Sequence, residues 1–448
     1  MSTTTLAQPA TDAERIEAIR GAFPAEGLFA EKAWRLSPKP FSLAPATVRK
    51  LQQLGPRLQR FQRAANENYF RSRKGSLPRW IAEVLDQGKP KELLEIATEG
   101  RTRDLLPRVI RPDLVLTEDG FALTELDSVP GGIGLTAWLG HTYADLNPDS
   151  ELVGGRDGMV RGFSSVLDGN TGADILVSEE SADYRPEMEW LAPQLAGDWK
   201  VHGAESYQPN SRSVYRFFEL FDLDNLPSAL SLGKAAAAGE IDLTAPFKPF
   251  LEEKLWSAIF WMRPLRETWR RELRDSHWQR LQEIIPYSWV LNPEALPPHA
   301  AIPRLEINDF TELKQFSQQE RDLVLKISGF SELGWGSRSV TIGSDSSQEE
   351  WSAAVENALD QFGTHPYVLQ EFHKGRRVEH PFWNDDTGAM ETLEGRVRLC
   401  PYYFVDAAKP TQISLGGVLA TICPADKKIL HGMKDAILVP CSISEDGY

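Results

Sequence analysis

An acidic hairpin around residue 120 constrains the fold of this chain more than any other stretch. Two apolar runs, 114–116 and 121–126, read as strands, and Asp-Gly in the turn 118–120 supplies the positive φ that a tight hairpin requires. Asp113 precedes the first run, while Glu125 and Asp127 end the second. Residues two apart on a strand share a face, and antiparallel pairing brings Asp113 to the same end. The stretch therefore predicts a two-stranded ribbon with carboxylates gathered at its open end.

The gathered carboxylates indicate a metal site. Three neighbouring acids repel one another unless a cation lies between them, and a few oxygen ligands suit Mg²⁺ that phosphate also holds. We therefore predict that Asp113, Glu125 and Asp127 bind Mg²⁺. The alternative is an ordinary surface hairpin with solvated acids. A glycine-rich turn, 130–134, leads from the hairpin into an apolar helix, and the start of that helix is a candidate anion site.

Composition excludes several classes of protein. A net charge of −15 over 448 residues argues against non-specific nucleic-acid binding. No apolar run approaches the roughly 20 residues of a membrane span, and residues 1–11 do not resemble a secretory leader. The three cysteines, Cys400, Cys423 and Cys441, have no paired spacing, which favours a reducing, cytoplasmic setting. The length allows two or three lobes.

The first part of the chain is predicted to be helical. Residues 12–110 space many apolar side chains three and four positions apart, with breaks expected at Pro56, Gly75 and 88–90. Glycine, asparagine and aspartate accumulate between residues 147 and 172, which indicates a boundary.

A small parallel sheet is predicted beyond that boundary. Strands at 174–177 and 199–202, with a helix at 185–195 between them, form a βαβ pattern. No phosphate-loop or dinucleotide-binding motif follows these strands. A long helical stretch at 250–284 comes next, and the proline-rich segment 292–303 is expected to be a linker.

A lysine and a glycine-bearing loop mark the second informative stretch. The strand 323–326 ends in Lys326, and the loop after it can close its backbone N–H groups on phosphate oxygens while the lysine reaches them as a point charge. The glycines of this loop are Gly329, Gly334 and Gly336. A helix at 349–362 and a strand at 367–372 follow. The alternative is a hairpin with a long turn.

The arrangement resembles the ATP-grasp ligases. Arg111-x-Asp113, a hairpin, Glu125-x-Asp127 and a Pro-Gly turn are similar to the metal-binding end of that family's site. That piece comes late in most members, but here it precedes the candidate ATP-binding lysines, an order similar to the circularly permuted, glutathionylspermidine synthetase-like proteins. The resemblance implies an α/β (α+β) fold with an N-terminal helical region, a small parallel α/β subdomain and an antiparallel subdomain that clamps ATP. Asp127 departs from the family, where Asn is more usual.

The resemblance also assigns roles to residues. Arg111 and Arg398 would be catalytic by orienting the transferred phosphate, although solvated edge positions are the alternative for Arg396 and Arg398. The ATP-binding set would be Lys254, Lys326, Gly329, Gly334, Gly336, Gln370 and Glu371. For Lys254 the alternative is an ordinary surface lysine on a helix.

Four divisions of the chain follow from these patterns. They are an N-terminal helical region with the metal-binding hairpin (1–165), an α/β subdomain (166–249), a helical connector (250–308) and an ATP-clamping subdomain (309–448). We predict an ATP- and Mg²⁺-dependent ligase that joins a small-molecule carboxylate to an amine (an amino acid, peptide or polyamine) through an acyl phosphate. The alternatives are a non-catalytic protein that binds nucleotide or peptide, and phosphoryl transfer to another acceptor. No nucleic-acid or membrane partner is expected.

Overall fold

The computed structural model describes residues 11–24, 34–168, 172–334, 339–432 and 435–448. Helices and strands are mixed, as expected. The helices are α1 (Asp12–Ala22), α2 (Pro45–Arg73), α3 (Trp80–Asp86), α4 (Lys91–Thr98), α5 (Ile133–Leu146), α6 (Gly158–Ser164), α7 (Arg185–Leu191), α8 (Ala229–Ala238), α9 (Leu255–Trp261), α10 (Arg266–Leu273), α11 (Asp275–Gln282) and α12 (Gln348–Asp360). The strands are β1 (Phe41–Leu43), β2 (Val109–Leu116), β3 (Phe121–Asp127), β4 (Ala173–Val177), β5 (Trp199–Gly203), β6 (Ser213–Phe217), β7 (Leu243–Thr244), β8 (Ser288–Val290), β9 (Leu323–Ile327), β10 (Thr341–Ile342), β11 (Tyr367–Glu371), β12 (Arg377–Asn384), β13 (Ala389–Val405), β14 (Ile413–Pro424) and β15 (Ile437–Ile443).

The largest sheet carries the acidic hairpin at its edge. Its order is β1-β15-β14-β13-β2-β3, with β12 also paired to β13. The hairpin of β2 and β3 is confirmed, and Asp113 lies opposite Glu125 while Arg111 lies opposite Asp127. A register shift after Asp113 leaves Thr124 as the extra residue of β3. The shift bends the ribbon where its acids begin.

Helix α2 packs on the large sheet and runs straight through one expected break. Breaks at Gly75 and 88–90 are confirmed, but the expectation at Pro56 is wrong, because α2 continues past it. Proline removes one helical hydrogen bond, yet Leu51 and Leu58 on either side are fully buried. Tertiary packing of this apolar face outweighs the lost bond.

The expected parallel sheet is present. Its order is β5-β4-β6-β7, and every pairing in it is parallel. Helix α7 connects β4 to β5, as the βαβ pattern predicts, although its last residues continue as a 3₁₀ turn, 192–194. The four parallel strands form a small sheet of their own, separate from the large sheet.

The third sheet is antiparallel, with the order β10-β9-β11-β8, and it is covered by α12. Trp351 of α12 is fully buried against it and donates its indole N–H to the carbonyl of Leu313 at 2.8 Å. The glycine loop connects β9 to β10. Gly336 lies outside the described residues.

The stretch 250–284 is a series of short helices and not one long helix. Pro264 lies in the 3₁₀ turn between α9 and α10, and Arg274, with φ of 66°, separates α10 from α11. Proline lacks the N–H that a helical hydrogen bond needs, and a positive φ lies outside the α-helical region, so each of them ends a helix. Strand pairing also crosses the expected division at 308, since β8 joins the third sheet. The four-part division stays a prediction.

Within the described ranges, no helix combines the length and the apolar character that crossing a bilayer requires.

Candidate active site

The open end of the hairpin faces the third sheet across a cleft. The cleft encloses about 1160 Å³, including space open to solvent, and both Glu125 and Lys326 line it. The Lys326 ammonium donates to the carbonyl of Thr124 at 2.6 Å. Residues that are far apart in the sequence therefore meet here, as the sequence interpretation required.

Asp113 is buried between two arginines. Its Oδ1 lies 3.0 Å from Nε of Arg111, and its Oδ2 accepts from Arg398 at 2.8 Å. The Cys400 thiol lies 3.4 Å from the same carboxylate. Burial alone would raise the pKa of Asp113, but Arg111 and Arg398 hold that pKa below its ordinary value. Asp113 is therefore an ionised group whose charge is already balanced.

Asp127 shares Arg111 with Asp113. Its Oδ2 lies 3.2 Å from the guanidinium of Arg111, and its Oδ1 accepts from the backbone N–H of Val129 at 2.8 Å. Burial raises the pKa of Asp127 and the nearby Glu125 adds to that rise, while Arg111 opposes both. Arg111 thus bridges two of the three acids.

The three acids lie on one face of the hairpin, but protein cations separate them. Within the described ranges no group of three His, Cys, Asp or Glu residues is arranged to hold a metal. Glu125 is the most open of the three, with 38% of its side chain exposed and Lys254 2.9 Å from its Oε1. Binding of one Mg²⁺ by all three stays a prediction, and the geometry favours Glu125 and Asp127 over the enclosed Asp113.

Lys326 is a buried lysine without a carboxylate in direct contact among the described residues. Its ammonium donates to Thr124 and, at 2.9 Å, to Oε1 of Gln370. Burial, and then the neighbouring Lys254, lower the pKa of Lys326 to about 8. A phosphate in the cleft would supply the missing negative charge.

Lys254 lines the cleft and is held by a backbone hydrogen bond to the residue after β9. It lies at the residue before α9, and its backbone N–H donates to the carbonyl of Ser328 at 3.1 Å. The adjacent Glu253 is buried and pairs with Lys89 at 2.5 Å, and it also accepts from the Ser328 hydroxyl. Only 15% of the Lys254 side chain is exposed, so the solvated-lysine alternative is wrong.

The cleft also has an apolar lining, with Gln370 and Glu371 beside it. Gln370 points inward to Lys326 and donates to Ser288 at 3.0 Å, so its side chain orients the lysine. Glu371 is partly exposed at the cleft and pairs with Arg304 at 2.7 Å. The apolar lining includes Val324, Ile342, Phe372 and Leu430. This slot suits a flat ring beside the charged centre.

The glycine loop borders two cavities. Gly334 lines both the cleft and a second cavity beside it, whereas Gly329 lines only the second. A Cβ at Gly329 would lie 3.1 Å from the carbonyl oxygen of Glu252, so the backbone passes close to the segment that carries Lys254. Gly336 belongs to 335–338, outside the described residues.

The helix start after the hairpin already holds a carboxylate of the chain itself. The backbone N–H of Leu135 in the first turn of α5 donates to the buried Glu187 carboxylate at 3.1 Å. The chain's own acid therefore fills the position that the glycine-rich turn 130–134 was expected to offer to a ligand. Glu187 is distant in the sequence, so the turn alone gave no sign of it.

Arg396 and Arg398 have different surroundings. Arg396 donates to the backbone carbonyls of Gly375, Ala425 and Lys427 and is buried. Arg398 lines the cleft beside Asp113, and its Nε is buried with no hydrogen-bond partner in the described structure. The solvated-edge alternative is wrong for both, because β13 lies inside the large sheet.

Sequence reasoning missed several lysines and acids of the site. Lys374 and Lys428 line the cleft, and both follow strand ends close to glycine or apolar residues. Lys374 lies in the turn after β11, where a basic residue beside Gly375 was a usable signal. The acids of the second cavity had no comparable signal in the sequence.

The second cavity is acidic. It encloses about 590 Å³, including open space, and Glu125, Lys254 and Gly334 line both it and the cleft. Besides Glu125, its acids are Asp127, Glu219 and Glu252. Burial, then Glu252 and Asp127, hold the pKa of Glu219 well above its ordinary value. Glu252 pairs with the buried Arg216.

Comparison with known proteins places the fold. No protein-family model matches the chain, and no curated protein matches its sequence. A glutathione synthetase-like effector from Globodera pallida, solved without ligand, superposes with a TM-score of 0.54 at 11% identity, covering 96% of each chain. The likeness is one of fold. A putative γ-glutamylcysteine synthetase from Methylobacillus flagellatus aligns over 88% of this chain and 87% of its own, at 11% identity and a TM-score of 0.34, too low for a structural argument.

The side chains of the cleft fit the phosphates of a nucleoside triphosphate better than they fit a bare metal ion. Lys254, Lys326 and Arg398 surround the cleft, and the unpartnered Nε of Arg398 leaves donor capacity beside it. Mg²⁺ needs only one or two carboxylates when phosphate and water complete its shell. Glu125 and Asp127 supply that number, so the donor set fits Mg²⁺ held jointly with phosphate.

Proposed function

We propose that this protein is an ATP- and Mg²⁺-dependent ligase that forms an amide from a carboxylate and an amine. One observation carries the proposal: Glu125, Lys254, Lys326 and Arg398, from distant parts of the chain, converge on one cleft that opens into an acidic cavity. The fold similarity to a glutathione synthetase-like protein supports it. The early position of the hairpin further supports a circularly permuted ATP-grasp chain of the glutathionylspermidine synthetase-like kind.

The cationic side chains would hold the phosphates. Lys326 is buried and short of negative charge, so a phosphate oxygen would replace its weaker carbonyl contacts. Lys254 would leave Glu125 for phosphate, and Glu125 with Asp127 would then bind Mg²⁺. The metal neutralises charge on the phosphates when it is bound. The apolar slot would take the base, with Gln370 and Glu371 at its edge.

Asp113 and Arg111 act as positioning residues in this proposal. Asp113 fixes the guanidinium of Arg398 at 2.8 Å, and Arg111 fixes both Asp113 and Asp127. Arg398 is then ready to stabilise charge on the transferred phosphoryl group. Asp113, first interpreted as a metal ligand, would act through the arginine.

The chemistry proceeds in two displacements. A carboxylate oxygen of the first substrate attacks the γ-phosphorus, the bond to ADP breaks, and an acyl phosphate forms. The amine nitrogen then attacks the carbonyl carbon, and phosphate leaves. Glu219 lines the acidic cavity beside this position, so its carboxylate is the candidate acceptor of the amine proton. The acidic cavity would hold an ammonium or polyamine group, and closure of the glycine loop would exclude water.

The test is ADP release with ATP, Mg²⁺ and a panel of amino acids and polyamines. We expect Glu125→Ala and Lys326→Ala each to lower turnover at least about a hundredfold, because each removes charge stabilisation at the transferred phosphate. Retained turnover in both variants would overturn the assignment. Mg²⁺-dependent ATP binding without ADP release would favour the non-catalytic alternative.

Exposed residues of the same types, outside the cleft, serve as matched controls. Glu118→Ala removes an exposed acid from the turn of the same hairpin, and Lys91→Ala removes a lysine that is 91% exposed. Both should leave turnover unchanged. Glu219→Gln should raise the KM for the amine with little change in ATP affinity. An unchanged KM would remove the acidic cavity from the amine site.

A further inference from the structure

A second groove lies on the opposite side of α2 from the cleft. It encloses about 1930 Å³, including open space, between α2, the α10–α11 junction and the start of β14. No residue that lines it also lines the cleft or its neighbouring cavities, as far as the structure describes the chain. Residues of α2 on its other face, Phe61 and Gln62, border the active-site side instead. The groove is therefore a separate surface.

Arginines without acid partners concentrate in this groove. Arg60 and Arg63 of α2 and Arg274 between α10 and α11 line it, and the described part of the chain gives none of them a salt bridge. The chain as a whole has 64 acidic and 49 basic residues. Acids were available to neutralise these guanidinium groups, yet none does so.

The acids of the groove are already engaged. Glu67 pairs with Arg103 at 2.6 Å, and Glu272 lies 3.3 Å from both Arg71 and Arg271. The third acid of the lining, Asp104, interacts electrostatically with Lys248. Positive charge consequently remains at the end formed by Arg60 and Arg274.

His277 lines the same groove and lies close to this positive charge. Its Nδ1 is buried and has no hydrogen-bond partner among the described residues. Burial, then Arg60, Arg57 and Arg274, lower the pKa of His277. Burial and the like charge of Arg280 also lower the pKa of Arg57, although Glu283 opposes this. Like charges held together without an anion cost free energy, which an anionic ligand would recover.

We propose that Arg60, Arg274 and His277 form a binding site for a small multivalent oxyanion, such as a phosphate or a di- or tricarboxylate. Guanidinium groups bind such anions through paired N–H donors, and the imidazole adds a donor. The groove is open enough for a ligand larger than one phosphate group. This site is independent of the proposed ligase chemistry.

Isothermal titration of the full chain with inorganic phosphate, pyrophosphate and citrate tests the site. We expect saturable binding that the double variant Arg60→Gln/Arg274→Gln weakens about tenfold or more, since two charged hydrogen-bond donors are removed. The ranking of the three anions identifies the phosphate or carboxylate source. Arg79→Gln, an exposed arginine elsewhere, should bind as the unmodified protein does.

The variant Lys326→Met distinguishes anion binding in the groove from anion binding in the ATP cleft. Anion binding that survives in Lys326→Met and is lost in the double arginine variant supports the groove. Binding that is lost in Lys326→Met and retained in the arginine variant belongs to the cleft and overturns the proposal. Absence of saturable binding by all three anions overturns it as well, whether or not the chain releases ADP.

Discussion

At the scale of single residues, Lys326 is the most informative side chain. It is buried, donates to one carbonyl and one amide oxygen, and has a pKa lowered to about 8 by burial and Lys254. Its sequence position at the end of a strand predicted the location but not its lowered pKa, which comes from distant neighbours.

The lowered pKa of Lys326 gives a pH dependence with a definite sign. Below about pH 8 the free protein carries a protonated Lys326, and above that pH it loses the charge that would bind phosphate. The affinity for Mg²⁺ and a non-hydrolysable ATP analogue should therefore fall as pH rises from 7.5 to 9.5. Binding titrations across this range measure it.

Lys326→Arg is the control for that titration, because its guanidinium stays charged over the whole range. Its affinity should vary little with pH. An equal fall in both proteins would assign the pH dependence to another group.

Asp113 shows the limit of residue-level prediction. Its place at the same end of the hairpin as Glu125 and Asp127 followed from strand periodicity and was predicted, and the structure puts it opposite Glu125. Arg111 is on the same strand, but Arg398 and Cys400, which complete the enclosure, come from β13, far downstream. Spacing along one strand cannot show which cation a distant strand delivers, so a metal ion was the simplest expectation.

At the scale of elements, the contact between α2 and β13 positions the hairpin's sheet. Gly55 of α2 lies against Tyr403, whose hydroxyl donates to the carbonyl of Leu51 at 2.6 Å. The helix passes through Pro56 at the same place. Local signals predicted a break there, and burial against the sheet overrode them.

Gly55→Ala should destabilise the protein. A Cβ at this position would lie 2.4 Å from a ring carbon of Tyr403, so helix and sheet must move apart. Overpacking of this kind costs about 1–3 kcal/mol. Differential scanning calorimetry should show a lower thermal midpoint.

Gly21→Ala is the matched helical control, because nothing lies within 4 Å of its added Cβ. Its thermal midpoint should stay equal or rise, since alanine favours helix by up to about 1 kcal/mol. A midpoint for Gly55→Ala as high as that of Gly21→Ala would contradict the proposed close packing.

The elements that periodicity specifies strongly were predictable. The hairpin, the βαβ unit, α12 and strands β9 and β11 lie close to their expected ranges. The stretch 250–284 was less predictable, because the turn at Arg274 uses a positive φ that its residue type does not favour. The helix start after the hairpin was misread for a similar reason, since the Glu187 carboxylate that occupies it comes from α7.

At the scale of the whole molecule, the proposed function depends on sheets brought together from distant segments. The hairpin belongs to the large sheet and Lys326 to the third sheet, and the two meet at the contact with Thr124. Lys254 joins them from the short helices between. Sequence order suggested this meeting only through a family resemblance, because nothing local specifies how sheets pack on one another.

The acidic cavity and the groove that Arg60, Arg274 and His277 line also depend on how the whole chain folds. Each collects residues from at least three elements, and neither has a continuous sequence motif. They lie on different sides of α2, so variants of one should leave binding at the other unchanged.

The most direct measurement is a crystal structure with Mg²⁺ and a non-hydrolysable ATP analogue. The account predicts phosphates facing Lys254, Lys326 and Arg398, and Mg²⁺ about 2.1 Å from oxygens of Glu125 and Asp127. Asp113 should stay on Arg398. A nucleotide bound elsewhere would contradict the account. So would a complex in which Lys326 keeps its contact with the Thr124 carbonyl and makes none with the phosphates.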